Sequence, residues 1–168
     1  MSTRSTRTTI AIVAAGLVAL AVAVAGCGGG SAYGGSSAPA AKPASSTGGS
    51  SVKLASTKLG KVLVDAQGRT LYLFEADKGA MSACAGACAG VWPPLKTTGK
   101  PIAGAGITAS KLGSTKRSDG STEVTYNGHP LYTYTGDSSA GQTSGQAIDE
   151  FGAEWYALSA AGNKIDSD

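Results

Sequence analysis

The sequence predicts an all-β protein built by tandem duplication of a roughly four-stranded antiparallel unit, arranged as a sandwich or a barrel. Three observations support this fold class. The phrase "LYLFEAD" at 71–77 returns as "LYTYTGD" at 131–137. Runs of β-branched and aromatic residues flank Gln67-Gly68 and Asn127-Gly128, and Asn-Gly is a strong signal for a two-residue hairpin turn. Beyond residue 51, no long stretch has helical periodicity.

The first 26 residues are typical of an export signal. Arg4 and Arg7 lie in a polar start, and residues 10–26 are small and apolar without a charge. The small residues before Cys27 resemble the lipobox of bacterial lipoproteins, in which this cysteine receives a diacylglyceryl group and becomes the new N-terminus. We expect a signal peptide at 1–26 and a lipidated Cys27. The alternatives are simple secretion and an uncleaved transmembrane helix, for which the apolar run is short.

The segment 27–51 is predicted to be the lipidated cysteine followed by a flexible tether. It consists almost entirely of Gly, Ser, Ala and Pro, and Tyr33 is its only large apolar residue. Such a composition cannot bury enough surface to offset the loss of chain entropy on folding. We therefore expect this segment to hold the folded part away from the membrane.

The charge of the chain excludes one class of partner. The formal net charge is +3, but two of the 14 basic residues, Arg4 and Arg7, belong to the export signal. The remainder is nearly neutral, whereas nucleic-acid binding requires a clustered basic face. We expect no nucleic-acid partner.

The repeat domain is expected at 52–165, with copy one at about 55–104 and copy two at about 105–162. At an offset of 60 residues the two copies align without gaps around the repeated phrase. The aligned pairs are Val64 with Val124, Gly68 with Gly128, Leu71 with Leu131, Tyr72 with Tyr132, Phe74 with Tyr134 and Asp77 with Asp137. Repetition at this period indicates a duplicated supersecondary unit.

The flanking segments extend this alignment in both directions. The triplet "KLG" occurs at 58–60 and at 111–113, which predicts seven additional residues in copy two around "STKRSDG". Downstream, "VWPPL" at 91–95 has a counterpart in "EWYAL" at 154–158. Outside the two hairpins, we expect further strands near 52–58, 92–97, 107–113 and 154–160.

The repeated phrase places aromatic side chains on one face of a strand. Residues two apart share a face, so Tyr72 and Phe74 point one way, as do Tyr132 and Tyr134 in copy two. Asp77 and Asp137 follow at the strand exits, where an acid can accept from backbone amides in an Asx turn or from a tyrosine hydroxyl. Two interpretations are open: an aromatic core with a turn acid, or an aromatic platform for a ligand.

At these residues the chain resembles the bacterial secreted-repeat lipoproteins, a family of unknown function. The resemblance rests on the two Tyr-x-aromatic-x-x-Asp phrases, the Cys pair before "WPPL", the Trp-Tyr near the end and the lipobox. It covers essentially all of residues 55–160. It implies a cell-envelope lipoprotein with tandem copies, and it carries no catalytic residues to transfer.

Cys84 and Cys88 are the only thiols besides Cys27, and an exported protein meets an oxidising compartment. In a regular helix, Cβ atoms four residues apart are too far from each other for a disulfide, so this Ala/Gly-rich loop must leave helical geometry to close one. The alternatives are a redox-active dithiol and soft-metal ligation, which lacks further ligands. At the same offset, copy two has Ser144 and Ile148.

Other polar residues offer weaker candidates for chemistry. His129 is the sole histidine and follows the Asn-Gly turn, which favours a turn-flanking role. Asp149, Glu150 and Glu154 could form a carboxylate pair for glycoside chemistry, with a solvated loop as the alternative. We assign no catalytic residue, no metal site and no cofactor, and the hypothesis that the protein is an enzyme is therefore less favoured.

The sequence favours a lipid-anchored, non-catalytic envelope protein that binds or positions an unknown ligand or protein outside the membrane. The expected location is the outer face of the bacterial cytoplasmic membrane or the envelope. The alternative is a redox, cofactor-binding or metal-binding envelope protein that uses Cys84 and Cys88. These two hypotheses differ in what the cysteine pair does.

Overall fold

The structure is a computed structural model that describes residues 48–166. The predicted signal peptide, Cys27 and the tether up to residue 47 lie outside the described residues. Residues 48–51, which the prediction assigns to the tether, lie on the folded body: the carbonyl of Gly48 accepts from the amides of Thr98 and Gly99, and Ser51 begins the first strand. Between residues 48 and 166, no helix is long and apolar enough to cross a membrane.

The described chain is nearly all β, which confirms the predicted fold class. Three three-stranded sheets are present, in the orders β2-β1-β4, β3-β9-β8 and β5-β6-β7. The strands do not close into one barrel within residues 48–166. The strands are β1 (Ser51–Thr57), β2 (Gly60–Asp65), β3 (Tyr72–Phe74), β4 (Ile102–Ala103), β5 (Leu112–Lys116), β6 (Thr122–Tyr126), β7 (His129–Pro130), β8 (Ile148–Glu150) and β9 (Ala153–Ala157), with one helix α1 (Ala87–Val91) and a 3-10 turn (Ala109–Lys111).

Two of the predicted strands differ from the structure. The strand expected near 107–113 is β5, which begins only at Leu112 because the residues before it form the 3-10 turn. The segment 92–97 is extended, but it pairs only through isolated bridges at Pro94 and Lys96. Prolines have no amide hydrogen to give to a ladder, so "WPPL" cannot form a continuous strand.

The Asn-Gly hairpin turn is present as predicted. Asn127 and Gly128 have φ values of 52° and 84°, and Tyr126 pairs with His129 across them. Both central residues of a type I′ turn need a positive φ, which Asn and Gly adopt at low cost. This turn sets the register between β6 and the second repeated phrase.

The duplication is visible in the backbone hydrogen bonds, although the predicted alignment of Val64 with Val124 is wrong by one residue. The amide of Leu63 donates to Leu158, and its carbonyl accepts from Leu71. Val124 makes the equivalent bonds to Leu95 and Leu131. Leu63, and not Val64, is therefore the counterpart of Val124. The turn between Leu63 and Leu71 in copy one contains one residue more than the Asn-Gly turn of copy two. In this longer turn the amide of Asp65 donates to the carbonyl of Arg69.

The "KLG" alignment and the seven-residue insertion are also wrong. The first triplet, 58–60, forms the β1–β2 turn, because Thr57 pairs with Gly60. The second triplet leads into β5, which pairs with β6 from Leu112 onward. The β1–β2 and β5–β6 hairpins are thus direct counterparts, with Val52 equivalent to Leu112. The shared letters occupy different positions in the two units.

The two copies exchange segments. In copy one, "WPPL" (92–95) pairs with the repeated phrase of copy two, since Thr133 donates to the carbonyl of Pro93 and Leu95 donates to that of Leu131. In copy two, β9 pairs with β3, the repeated phrase of copy one. The two phrases meet each other at Tyr72 and Tyr132, whose backbones exchange both hydrogen bonds at 2.9 and 3.0 Å. Each copy is therefore completed by the other.

Two cores lie on opposite faces of the repeated strands, as their alternation predicts. The first contains Tyr72, Phe74 and Tyr132 with the cysteines and both tryptophans. The second contains Leu71, Leu73 and Leu131 with aliphatic side chains from β1, β2 and β6 and three further residues, Tyr126, Tyr156 and Leu158. Residues two apart in a strand share a face, which separates the two sets.

Candidate functional site

The repeated phrases meet in a crossed pair of tyrosine–aspartate hydrogen bonds. The hydroxyl of Tyr72 donates to Asp137 Oδ2 over 2.6 Å, and the hydroxyl of Tyr132 donates to Asp77 Oδ2 over 2.9 Å. Each tyrosine thus uses the acid of the other copy. The hydroxyl interaction considered in the sequence analysis is present, but it joins the copies instead of closing each phrase on itself.

The second oxygen of each aspartate closes a loop. Asp77 Oδ1 accepts from the amide of Ala83, and Asp137 Oδ1 accepts from the amide of Ser144, at 2.7 and 2.8 Å. These amides lie six and seven residues further along the chain, so the acids do not form the tight Asx turn that we expected. Each acid ties its own loop to the tyrosine of the other copy.

The aromatic side chains form a continuous stack. Phe74 lies on Trp155, Trp155 on Trp92 and Trp92 on Tyr134, with ring centroids 4.1, 4.0 and 4.3 Å apart. Tyr72 contacts Trp92 edge-on. Tyr132 does the same with Trp155. Except for the half-buried Tyr134, these rings are buried, which places them in the core, so they do not form an exposed platform.

Cys84 and Cys88 form a disulfide with a Cα–Cα distance of 5.3 Å. The chain between them leaves helical geometry at Gly86, whose φ of 58° and ψ of −121° together lie in a region that strongly favours glycine, and α1 begins at the next residue. The expected departure from a regular helix is therefore confirmed. Both residues are buried in the aromatic core, at 1% and 6% exposure.

A buried ion pair in copy two holds this disulfide loop. Arg117 Nη1 lies 2.7 Å from Glu123 Oε2, and both side chains are almost completely buried. The other terminal nitrogen, Nη2, donates to the carbonyl of Cys84. Val62 of copy one is the counterpart of Glu123 and is an ordinary core residue. The charged pair of copy two therefore supports the cysteine loop of copy one.

Ser82 connects this ion pair to the crossed hydrogen bonds. Tyr132 gives its only hydroxyl proton to Asp77, so Ser82 must donate to the Tyr132 oxygen, 2.6 Å away. Ser82 Oγ in turn accepts from Arg117 Nη1 over 2.6 Å. The result is a directed chain from the guanidinium through two hydroxyls to a carboxylate. Glu123 Oε1 is buried and has no hydrogen-bond partner among residues 48–166.

Burial shifts the pKa values of the groups in this network. It raises the pKa of Asp77 from 3.8 to about 6, and the bonds from Ala83 and Tyr132 offset only part of that rise. Burial also raises the pKa of Glu123 from 4.5 to about 7, although Arg117 lowers it. The pKa of Tyr132 is raised as well, by burial and then by the charge of Glu123, which keeps the hydroxyl a donor.

These shifts predict that the fold is more stable at pH 5 than at pH 8. A carboxyl group whose pKa is raised in the folded state binds its proton more tightly than in the unfolded chain. Stability is then lost as pH rises through about 6 for Asp77 and about 7 for Glu123. Asp119 has the opposite shift, from 3.8 to about 2, so its contribution is present throughout pH 5–8 and is lost only as pH falls towards about 2.

Thermal unfolding between pH 5 and pH 8 checks this expectation. Asp77→Asn should flatten the pH dependence, while Asp149→Asn, at an exposed position, should leave it unchanged. A wild-type melting temperature that rises towards pH 8 would contradict the raised pKa of both carboxyls, the half-buried Asp77 and the buried Glu123.

The remaining candidate acids either accept structural hydrogen bonds or are exposed to solvent. Glu150 accepts from Trp92 Nε1 through its carboxylate and from Trp155 Nε1 through its carbonyl. Glu154 accepts from the Tyr156 hydroxyl, and Asp149 is exposed. These three acids therefore do not form a free carboxylate pair.

His129 begins β7 directly after the Asn-Gly turn, as expected. It is half-buried, and burial lowers its pKa, so the imidazole is neutral at neutral pH. The ring borders an open groove of about 470 Å³ together with Leu73, Glu75 and Lys164. Across the described part of the chain, no three His, Cys, Asp or Glu side chains are placed to share a metal ion.

Arg117 and Glu123 are the residues that sequence reasoning missed. Arg117 lies in "STKRSDG" (114–120), the segment taken for an inserted loop, where charged residues are normally solvated, and Glu123 lies in the strand that follows. The available signal was Glu123 itself, which stands between β-branched residues of a strand in "STEVTY". A charge there must either face solvent or have a buried partner.

Comparison with known proteins identifies the repeat. A family model described as a secreted repeat of unknown function matches residues 53–96 and 113–159. The two matches begin at equivalent positions of β1 and β5 and end within or just after the exchanged segments. No curated protein and no solved structure matches the chain.

Proposed function

The chain belongs to the family of secreted repeats of unknown function, and we propose that it is a lipid-anchored, non-catalytic binding module on the outer face of the bacterial membrane. Cys27 receives the lipid, and the segment up to residue 47 tethers the repeat domain. Two acyl chains hold a protein stably on a membrane, whereas one chain binds only reversibly.

One observation carries the non-catalytic part of this proposal: the polar groups of the repeated motif are already hydrogen-bonded to one another. Tyr72, Asp137, Tyr132 and Asp77 satisfy one another across the two copies. A catalytic acid or nucleophile must reach a substrate, and a general base must lie within hydrogen-bond distance of the proton it removes. The motif is better suited to joining the copies, which leaves the surface of the domain for binding.

Replacing Cys27 with alanine tests the anchor. We expect the wild-type chain, expressed in an exporting bacterium, to fractionate with membranes and to run with a lipid-dependent mass increase on its N-terminal peptide. Cys27→Ala should lose the mass increase and stay in the membrane only if its signal remains uncleaved. An unmodified Cys27 in the wild-type protein would contradict the proposal.

Replacing Cys84 and Cys88 together tests the non-catalytic assignment against the redox alternative. A bridge closing so short a loop stabilises by about 2 kcal/mol in the entropy model, so the double alanine variant should fold with a modest loss. Because both cysteines are buried, the wild-type disulfide should resist mild reductant under native conditions. Rapid, reversible reduction without unfolding would instead support a redox role. Matched samples of wild-type protein and variant, followed by thiol labelling and thermal unfolding, separate the two outcomes.

A further inference from the structure

The two copies differ in what covers the outer edge of their first hairpin. In copy one, β1 lies between β2 and β4, so both of its edges are paired. In copy two, the equivalent strand β5 pairs, among residues 48–166, only with β6 and stands at the end of its sheet. The duplication therefore has one covered edge and one open edge at the same place in the fold.

The covered edge of β1 shows which kind of segment can pair with a strand at this position. An extended segment, "IAGA" at 102–105, runs parallel to β1. Its amides at Ile102 and Gly104 donate to the carbonyls of Ser50 and Val52 over 2.9 and 2.7 Å, and the amide of Leu54 donates to Ala105 over 3.0 Å. The occupant is thus a short strand whose residues after the partly exposed Ile102 are small, held mainly by its backbone.

The open edge presents the same backbone groups. Ser114 lies opposite Val124, whose amide and carbonyl turn away to Leu95 and Leu131. In an antiparallel ladder the two members of such a pair direct their backbone groups outward, so the Ser114 amide and carbonyl point away from β6. Ser114 is the counterpart of Leu54 and Leu112 that of Val52, the two residues of β1 that bond to the covering segment. An unpaired strand edge of this kind is a template for an added strand.

One charge distinguishes the open edge from the covered one. Lys116 is exposed and occupies the place of Ser56 in copy one. Its amine reaches only Thr122 Oγ1, and the nearby acid Asp119 is engaged by Lys96 at 3.5 Å and by Arg117 at 3.8 Å. An occupant that extends to this position therefore meets a positive charge and is favoured if it carries a carboxylate there.

We propose that β5 is a docking strand for an extended peptide segment of a partner protein, one with small residues along Leu112–Ser114 and an acidic residue opposite Lys116. The peptide adds parallel to β5, as 102–105 does to β1. This inference rests on the proposed function as a binding module and identifies the class of its partner. Backbone hydrogen bonds supply the affinity, and the lysine selects the acidic end.

A labelled peptide based on the chain's own covering segment tests the proposal. The probe is fluorescein-labelled Pro-Ile-Ala-Gly-Ala-Gly-Asp, which copies residues 101–107 except for an aspartate at the last position. The chain's own segment turns away after Ala105, but a peptide that continues as a straight strand in the register of Val52 with Ala103 places that aspartate opposite Lys116. Its binding to the full-length protein in detergent micelles is followed by fluorescence anisotropy, beside a control peptide that ends in lysine.

Saturable binding of the acidic probe is expected, with the lysine-ended control at least threefold weaker. Ser114→Pro removes an amide that faces away from the sheet and should weaken binding at least tenfold. Ser114→Ala keeps that amide and should bind like wild type. Lys116→Glu should reverse the preference between the two peptides. Near-UV circular dichroism confirms that each variant is folded.

Absence of saturable binding to the wild-type protein would overturn the proposal. Equal binding by a folded Ser114→Pro variant would do the same, because the peptide would then lie elsewhere. Neither result concerns the anchor, since lipidation of Cys27 is measured independently on the N-terminal peptide. A failed docking strand and a failed anchor are therefore distinguishable.

Discussion

Replacement of Arg117 by alanine is expected to destabilise the fold by about 3–5 kcal/mol at pH 8, because it leaves Glu123 as an uncompensated buried charge. The guanidinium lies 2.7 Å from that carboxylate and also holds Ser82 and the carbonyl of Cys84. The loss should be smaller at pH 5, where Glu123 can take up a proton instead. Denaturant unfolding of wild type and variant at both pH values measures it.

The chain offers a matched control for this prediction. Copy one has Thr57 and Val62 at the positions equivalent to Arg117 and Glu123, so Arg117→Thr combined with Glu123→Val rebuilds the uncharged version of the site. Replacing both members of a buried ion pair by apolar residues is often neutral or stabilising, whereas removing one is not. The double variant should recover most of the loss, apart from the unpaired Cys84 carbonyl. A double variant as unstable as Arg117→Ala would show that the ion pair has a different role.

Replacement of Trp155 by alanine is expected to cost about 3–5 kcal/mol, the usual range for a fully buried tryptophan. Trp155 is completely buried, stacks on Phe74 and Trp92 and receives the edge of Tyr132. It also lies on β9, the strand that copy two contributes to copy one. Loss of the ring should therefore separate the copies, with a loss of near-UV circular dichroism as well as stability.

Phe151 provides the control for Trp155. It is a large aromatic residue four positions earlier, but it is 47% exposed at the β8–β9 turn, where its φ is 60°. Phe151→Ala should change the free energy of unfolding by less than about 0.5 kcal/mol, as is usual for surface positions. If Phe151→Ala were as damaging as Trp155→Ala, burial in the stack would not explain the effect.

Local patterns predicted the faces and turns of this fold. The alternation in "LYLF" separates tyrosine and phenylalanine from leucine, and the structure places them in the two different cores. Asn127-Gly128 predicted its turn because few residue pairs accept two consecutive positive φ values. Both features depend on neighbours within a few residues, which is the range over which sequence patterns are informative.

The partners of Tyr72 and Tyr132 could not be predicted in the same way. Each tyrosine lies five residues before an aspartate of its own copy, yet each bonds to the aspartate 65 or 55 residues away. The sequence of a repeated phrase does not indicate whether its tyrosine bonds to the aspartate of its own copy or to the equivalent aspartate of the other copy. Only the exchange of segments between the copies decides it.

Identical residues also misled the alignment where they occupy different structural positions in the two copies. The two "KLG" triplets match perfectly, but one forms a turn and the other leads into β5. Conversely, Val62 and Glu123 are equivalent although their chemistry is opposite. The charge of Glu123 is tolerated because the hairpin brings Arg117 beside it, and that proximity depends on the β5–β6 register.

The exchange of segments also determines when the chain can fold during export. A chain that leaves the membrane from its N-terminus presents β1, β2 and β3 first, but the strand that pairs with β3 is at Ala153–Ala157, close to the other end. The Tyr72 hydroxyl likewise lacks its hydrogen-bond acceptor until Asp137 has crossed. The first copy must therefore remain incomplete outside the membrane until nearly the whole chain has crossed. Through that interval the aromatic residues of the first copy remain uncovered, and a chain truncated before Trp155 never completes that copy.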